Sequence, residues 1–99
     1  RRAAPPGLLG AALEHFKKVA ELQPKFGTGQ LYLAKALLDV GDLQGAIAAA
    51  RDGLQNQPEP EITPLGHFVL ADAYNRQGRL KEAAREEAAG KAAARRLQK

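Results

Sequence analysis

The chain has no cysteine, no methionine, no tryptophan and no serine, and only five of its 99 side chains are aromatic. Without cysteine there is no disulfide framework, no thiol nucleophile and no thiolate metal site. Without serine the commonest hydrolase nucleophile is missing too. So small a set of rings excludes a core built on bulky aromatic packing. No apolar run approaches the roughly 20 residues that a membrane-spanning helix needs, and no signal-type hydrophobic stretch opens the chain. A soluble domain is expected, with no compartment implied. No Walker sequence, no GxSxG and no dinucleotide fingerprint occurs. The lack of methionine even at position 1 leads us to expect a segment of a longer protein.

Two residue classes are abundant instead. Alanine occupies 20 positions, which favours long helices packed closely through small side chains. The net charge is +4, and it is unevenly placed. Residues 1–40 carry six basic and three acidic side chains, residues 41–78 two and five, and residues 79–99 seven and three. Both ends are basic and the middle is mildly acidic, a pattern most simply read as solvated helix faces.

Three landmarks recur in register. A glycine, a leucine two residues on and an alanine three further on appear as Gly7-Leu9-Ala12, Gly41-Leu43-Ala46 and Gly78-Leu80-Ala83. Pro24 and Pro58 follow the first two copies at the same offset. The steps are 34 and 37 residues, and the segment Glu59-Pro60-Glu61-Ile62 holds the three-residue insertion. Self-similarity at such a period signals stacked helical pairs.

Apolar spacing then predicts five helices. The first runs from about Leu8 to Leu22, with Leu9, Ala12, Leu13, Phe16, Val19 and Ala20 on its apolar side, and ends before Pro24. The second spans about Thr28 to Val40, with Thr28 as its cap and Gly41 as a left-handed stop. Asp42 caps a third helix, from Leu43 to about Asn56. Thr63 reads as the cap of a fourth, with Pro64 at its first position, ending near Gln77 before Gly78. The fifth starts near Leu80 and continues toward the end, with Gly90 as its weak point. No segment alternates with period two.

A glycine-ended helix, a short turn, and a second helix that opens Leu-x-x-Ala and ends before proline resembles the tetratricopeptide repeat. In residues 27–61, Leu33-Ala34 matches the family's large-small pair, Leu37 its aromatic site, Gly41-Asp42-Leu43 its turn, Ala46 its buried small residue and Pro58 its closing proline. Leu70-Ala71, Tyr74, Gly78 and Ala83 fill the same places in a second full unit. Ala50 and Glu87 depart from the large ring that Phe16 supplies, and no proline closes the last unit.

The resemblance implies an all-α fold: a right-handed superhelical stack of antiparallel helix pairs, about two and a half repeats in five helices. It divides the chain into a flexible leader (1–6), the second half of a truncated unit (7–26), a full repeat (27–61) and a full repeat with an extended C-terminal capping helix (62–99). Glu87 at a normally buried place fits the solvated outer face of a cap.

In this family the first helix of each pair lines a concave groove for peptides or partner segments. Carried over by position, the groove residues are Thr28, Leu31, Lys35, Leu38, Asp39, Leu65, Phe68, Asp72, Asn75 and Arg76. Among them Leu31, Leu38, Leu65 and Phe68 are apolar residues that the core does not obviously require. A clamp for the carboxylate of chaperone tails is not expected, because the corresponding places hold Leu31, Lys35, Leu65 and Val69.

Three further readings follow from the residues. The truncated unit lacks the helix that would cover Leu13, Phe16 and Ala20, so this face is a candidate for self-association into a homo-oligomer. The basic ends (Arg1, Arg2, Lys91, Arg95, Arg96 and Lys99) lack neighbouring aromatic residues, which leaves only salt-dependent contact with a polyanion and makes nucleic acid an unlikely partner. The two histidines do not form a catalytic or metal set. His15 is beside Glu14, about 100° away around a helix, and His67 should face solvent or a neighbouring repeat. Gly27-Thr28-Gly29 reads as a helix start, not a phosphate loop. The expected function is a non-catalytic protein-binding scaffold, with no cofactor and no metal.

Overall fold

The left-handed glycines end two of the helices as the sequence predicts, and they do so with the same hydrogen bonds. In a computed structural model that describes residues 6–98, Gly41 and Gly78 have φ of +89° and +79°. At the first turn Gly41 N–H donates to Leu38 O (3.0 Å) and Asp42 N–H to Leu37 O (2.9 Å). At the second, Gly78 N–H donates to Asn75 O (3.0 Å) and Arg79 N–H to Tyr74 O (2.9 Å). Both are Schellman closures, which satisfy carbonyls that a helix end leaves without partners.

The described residues form five α-helices and no strand: α1 (Pro6–Leu22), α2 (Gly27–Asp39), α3 (Leu43–Gln55), α4 (Thr63–Arg76) and α5 (Leu80–Arg96). The expected leader, residues 1–6, lies outside the described residues except for Pro6, which already opens α1. Each helix packs on its neighbours in sequence, and α2 also packs on α4. α1 touches α2 alone. The Cα radius of gyration is 13.4 Å, close to the roughly 13 Å of a compact chain of this length.

Asp42 caps α3 as expected, accepting from Gly45 N–H at 2.9 Å. The two threonine caps are corrected. Thr28 lies inside the first turn of α2, behind Phe26, and is buried. Its hydroxyl accepts from Glu59 N–H at 2.9 Å, so it ties α2 to the insertion that precedes α4. Thr63 is likewise already helical, with Ile62 in front of it, and Pro64 is one place deeper than predicted. The Thr63 hydroxyl donates to Glu59 O (3.1 Å). Both threonines therefore organise the Glu59–Ile62 segment, which a cap assignment read from local sequence cannot reveal.

The core sits between α2, α3 and α4. It comprises Leu31, Ala34 and Leu38 of α2, Ala46, Ile47 and Ala50 of α3, and Val69, Leu70, Ala73 and Tyr74 of α4, with Ala83 closing it from α5. Among the described residues of α1 none is fully buried. Leu31 is at the centre of this core with no exposure at all, contrary to the expectation that the core does not require it. Two glycines make room for it. A methyl added at Gly53 would stand 2.6 Å from Leu31 Cδ2, and one at Gly66 would stand 2.8 Å from the same carbon.

Tyr74 carries the largest fully buried side chain and links three elements. Arg51 Nη2 of α3 donates to its hydroxyl, and the Arg79 guanidinium lies 4.5 Å from its ring centre. Arg79 in turn holds Glu82 at 2.6 Å. The hydrogen bond from Arg79 holds the Glu82 carboxyl below its usual range, and the same bond raises the arginine.

The glycines of this fold are not equivalent, and replacement by alanine separates them. An α-carbon methyl at Gly10 meets nothing within 4 Å, so Gly10→Ala should stabilise the protein by up to about 1 kcal/mol through helix propensity. At Gly53 the methyl would also meet Gly27 O at 2.9 Å. Gly53→Ala should therefore destabilise by about 1–3 kcal/mol, overpacking outweighing propensity. Urea unfolding of the two variants checks both signs.

Candidate functional site

The residues predicted to line a groove are split by the packing into an inner and an outer set. Thr28 and Leu31 point inward and are consumed by the hydrogen bond to Glu59 and by the core. Lys35, Leu38, Leu65, Phe68 and Asp72 come together, with Val69, around a cleft of about 150 Å³ between α2 and α4. The α2–α4 contact brings them together. These two helices are not consecutive, and the cleft is the seam between their exposed sides.

The cleft has an apolar floor and a charged rim. Leu38 and Val69 are nearly buried and form the floor, Leu65 is half-buried, and Phe68 stands 39% exposed at the edge. Along the rim Lys35 Nζ pairs with Asp39 at 2.8 Å, and Arg76 pairs with Asp72 through bonds of 2.9 and 3.2 Å. Each pair is internal to its own helix, four residues apart, with side chains about half exposed. Such pairs contribute little to stability, so exchanging one partner for a ligand group is inexpensive. Asn75 is exposed on the same helix as Asp72 and Arg76.

Phe68 is placed by a residue that sequence reasoning marked only as a weakness. Gly90 is buried in α5, and a methyl there would stand 2.7 Å from Phe68 Cε1. The ring therefore lies flush on the α5 backbone, which holds its outer face toward the cleft. Next to it His67 Nδ1 meets Glu86 Oε1 at 2.8 Å, again between α4 and α5. His67 thus faces the second helix of its own pair, a correction to its expected outlook on solvent or a neighbouring repeat. Val69 lines the cleft as well; the sequence places it only at a clamp position of the resembled family, outside the groove set carried over.

The volume limits what the cleft can take. Sites for drug-sized ligands and cofactors usually occupy about 300–1,000 Å³, whereas a dry cavity of about 150 Å³ accepts a benzene-sized group. This cleft matches one anchoring side chain. Among the described residues no group of three or more His, Asp or Glu side chains is placed to hold a metal ion, and no helix is long and apolar enough to cross a membrane.

The other candidate residues lie elsewhere. Leu13, Phe16 and Ala20 of α1 are half-buried, and Phe16 stacks on Tyr32 of α2 at 5.5 Å between ring centres. α2 thus covers much of the face expected to be open. Lys91 approaches Glu87 at 3.6 Å, while Arg95 and Arg96 are exposed at the end of α5. Arg1, Arg2 and Lys99 lie outside the described residues. Comparisons with protein-family models, with curated proteins and with solved structures find no match to this chain.

The contact between Gly90 and Phe68 generates a direct test of how the cleft is shaped. Gly90→Ala should leave α5 helical by circular dichroism, since alanine is the better helix former by about 1 kcal/mol. It should also push the Phe68 ring across the cleft and shift its aromatic proton resonances. Unmoved Phe68 resonances would show that the ring is not held against this glycine.

Proposed function

We propose that this chain is a non-catalytic interaction module, built as a tetratricopeptide-like array of two and a half helix pairs in a right-handed superhelical stack. It takes a peptide or partner segment in the cleft between α2 and α4. The observation that carries this reading is the cleft itself: an apolar floor of Leu38, Leu65 and Val69, a projecting Phe68, and a rim of two locally paired charges. A recognition surface commonly combines one or two apolar anchors with polar groups at its edge.

The repeat reading draws support from equivalences between the two full units. Both first helices end in the same glycine closure. Ala46 and Ala83, equivalent by the recurring pattern, are both buried under a first helix. The α2–α3 and α4–α5 pairs are the two most extensively packed in the protein.

The chemistry of the site favours a segment of modest polarity. One apolar side chain fills the cleft, and flanking groups of either charge can replace Asp39 at Lys35 or Arg76 at Asp72. At the rim, Lys35 and Asp72 are engaged with Asp39 and Arg76.

A displayed random peptide library panned against the protein provides the probe, with amide chemical-shift mapping of any binder. Shifts should centre on Lys35, Leu38, Leu65, Phe68 and Asp72. Phe68→Ala should weaken the selected peptide at least tenfold, about 1.4 kcal/mol, with helicity unchanged. Lys35→Glu should reverse the preference for charge beside the anchor. Binders that map only to α1, or loss of the fold in Phe68→Ala, would remove the cleft as the site.

A further inference from the structure

Helices α2 and α4 carry opposite charges at equivalent places. The glycine closures that end them, at Gly41 and Gly78, set a common register, in which Lys35 corresponds to Asp72 and Asp39 to Arg76. At each of these two levels one helix bears a cation and the other a carboxylate, and the order reverses one turn along. Within each helix the levels are joined by an ion pair, Lys35 with Asp39 at 2.8 Å and Arg76 with Asp72 at 2.9 Å. The four charges sum to zero. Such an array exerts no long-range pull on a uniformly acidic or basic segment, because each attraction is met by a comparable repulsion.

The cleft breaks this balance locally. Lys35 and Asp72 line it, and Asp39 and Arg76 are not among its walls. A side chain seated there has an ammonium group on the α2 side and a carboxylate on the α4 side, over the apolar floor and beside the Phe68 ring. Both charged groups keep bonding capacity in reserve. Lys35 Nζ spends two of its three donors on Asp39. Each Asp72 oxygen accepts one bond from Arg76 and retains a second lone pair. Each can therefore take a ligand group without releasing the partner on its own helix. The volume of about 150 Å³ suits a benzene-sized anchor, and a ring beside Phe68 gains offset or edge-to-face contact beyond its buried area. In an extended segment, side chains two residues apart share a face and stand about 7 Å apart. An anchor in the cleft thus carries the side chains two places before and after it to opposite rims.

We propose that the α2–α4 cleft selects a partner segment of mixed charge. The segment is an extended stretch with one aromatic anchor, an acidic side chain two residues to one side of it and a basic side chain two residues to the other. The acid lies over Lys35 of α2 and the base over Asp72 of α4. This deepens the cleft reading above and rests on it. The charges decide which side chain lies over which helix and leave the direction of the peptide backbone open, so either order along the segment serves. A segment with two acids or two bases about the same anchor gains one rim contact and loses the other. Exposed pairs change affinity only a few-fold each, so the selection is a graded preference.

Four end-blocked synthetic peptides test it, identical except at the residues two places either side of a central phenylalanine. These residues are glutamate then lysine, lysine then glutamate, two glutamates, or two lysines. Titration of each into the protein is followed by the methyl resonances of Leu38 and Val69. At low ionic strength the better mixed peptide should bind about threefold or more tightly than either uniform one. The difference should vanish in about 1 M salt, where the screening length falls to about 3 Å. Lys35→Glu should move the preference to the double-lysine peptide, and Asp72→Lys to the double-glutamate peptide. The double variant, with the two charges exchanged, should prefer the mixed peptides again, which separates a charge effect from damage to the cleft. Equal affinity for all four peptides would overturn the proposal and leave the cleft as the site. So would a preference that survives Lys35→Glu unchanged. Methyl resonances that no peptide moves would overturn it together with the cleft reading.

Discussion

Everything in this structure depends on how closely helix backbones approach one another. A chain with so few rings cannot fill wide gaps between helices, so it closes the gaps. Ala34, Ala46, Ala50 and Ala73 have no exposed surface, and the carbonyl of Gly27 comes close enough to Gly53 to exclude a methyl there. Close approach increases dispersion contact per residue and leaves little volume to fill. It also has a cost. Glycine inside a helix sacrifices about 1 kcal/mol against alanine, and Gly53, Gly66 and Gly90 each accept that to admit a neighbour's side chain. Leu31 and Phe68 are those side chains.

This constraint explains which features could be read from the sequence. The number of helices, their order and most of their ends follow from apolar spacing and from local stop signals, which act within a few residues. Gly41, Gly78 and Asp42 behave as read because a Schellman closure and a capping carboxylate need nothing from elsewhere in the chain. Thr28 and Thr63 were misread for the complementary reason. Their hydroxyls bond Glu59, 31 and four residues away, and a threonine near a helix start looks the same whether it caps or reaches outward. The missed contact runs through the insertion, the one segment that breaks the repeat.

The site was legible at the level of helix faces and not of single side chains. The positions carried over from the tetratricopeptide resemblance put Lys35, Leu38, Leu65, Phe68 and Asp72 together, and these five line one cleft. The same carry-over places Leu31 there. Its actual position is decided by Gly53 on α3 and Gly66 on α4, whose missing side chains create the space it fills. Likewise the outlook of Phe68 is set by Gly90, 22 positions further along the chain. A helical glycine with no turn to make is the trace such contacts leave in a sequence. It marks that something lies close without saying what.

The residue at one shared position of α1, α3 and α5 also shows what close approach demands. It is glycine in α3 and α5, where Leu31 and Phe68 lie against it, and valine in α1, whose side chain is half-buried beside Gly29 of α2. The missing side chain therefore passes to the other partner of the contact: where α1 has the bulk, α2 has the glycine. Either arrangement lets two backbones come close, because one member of each pair gives up its side chain.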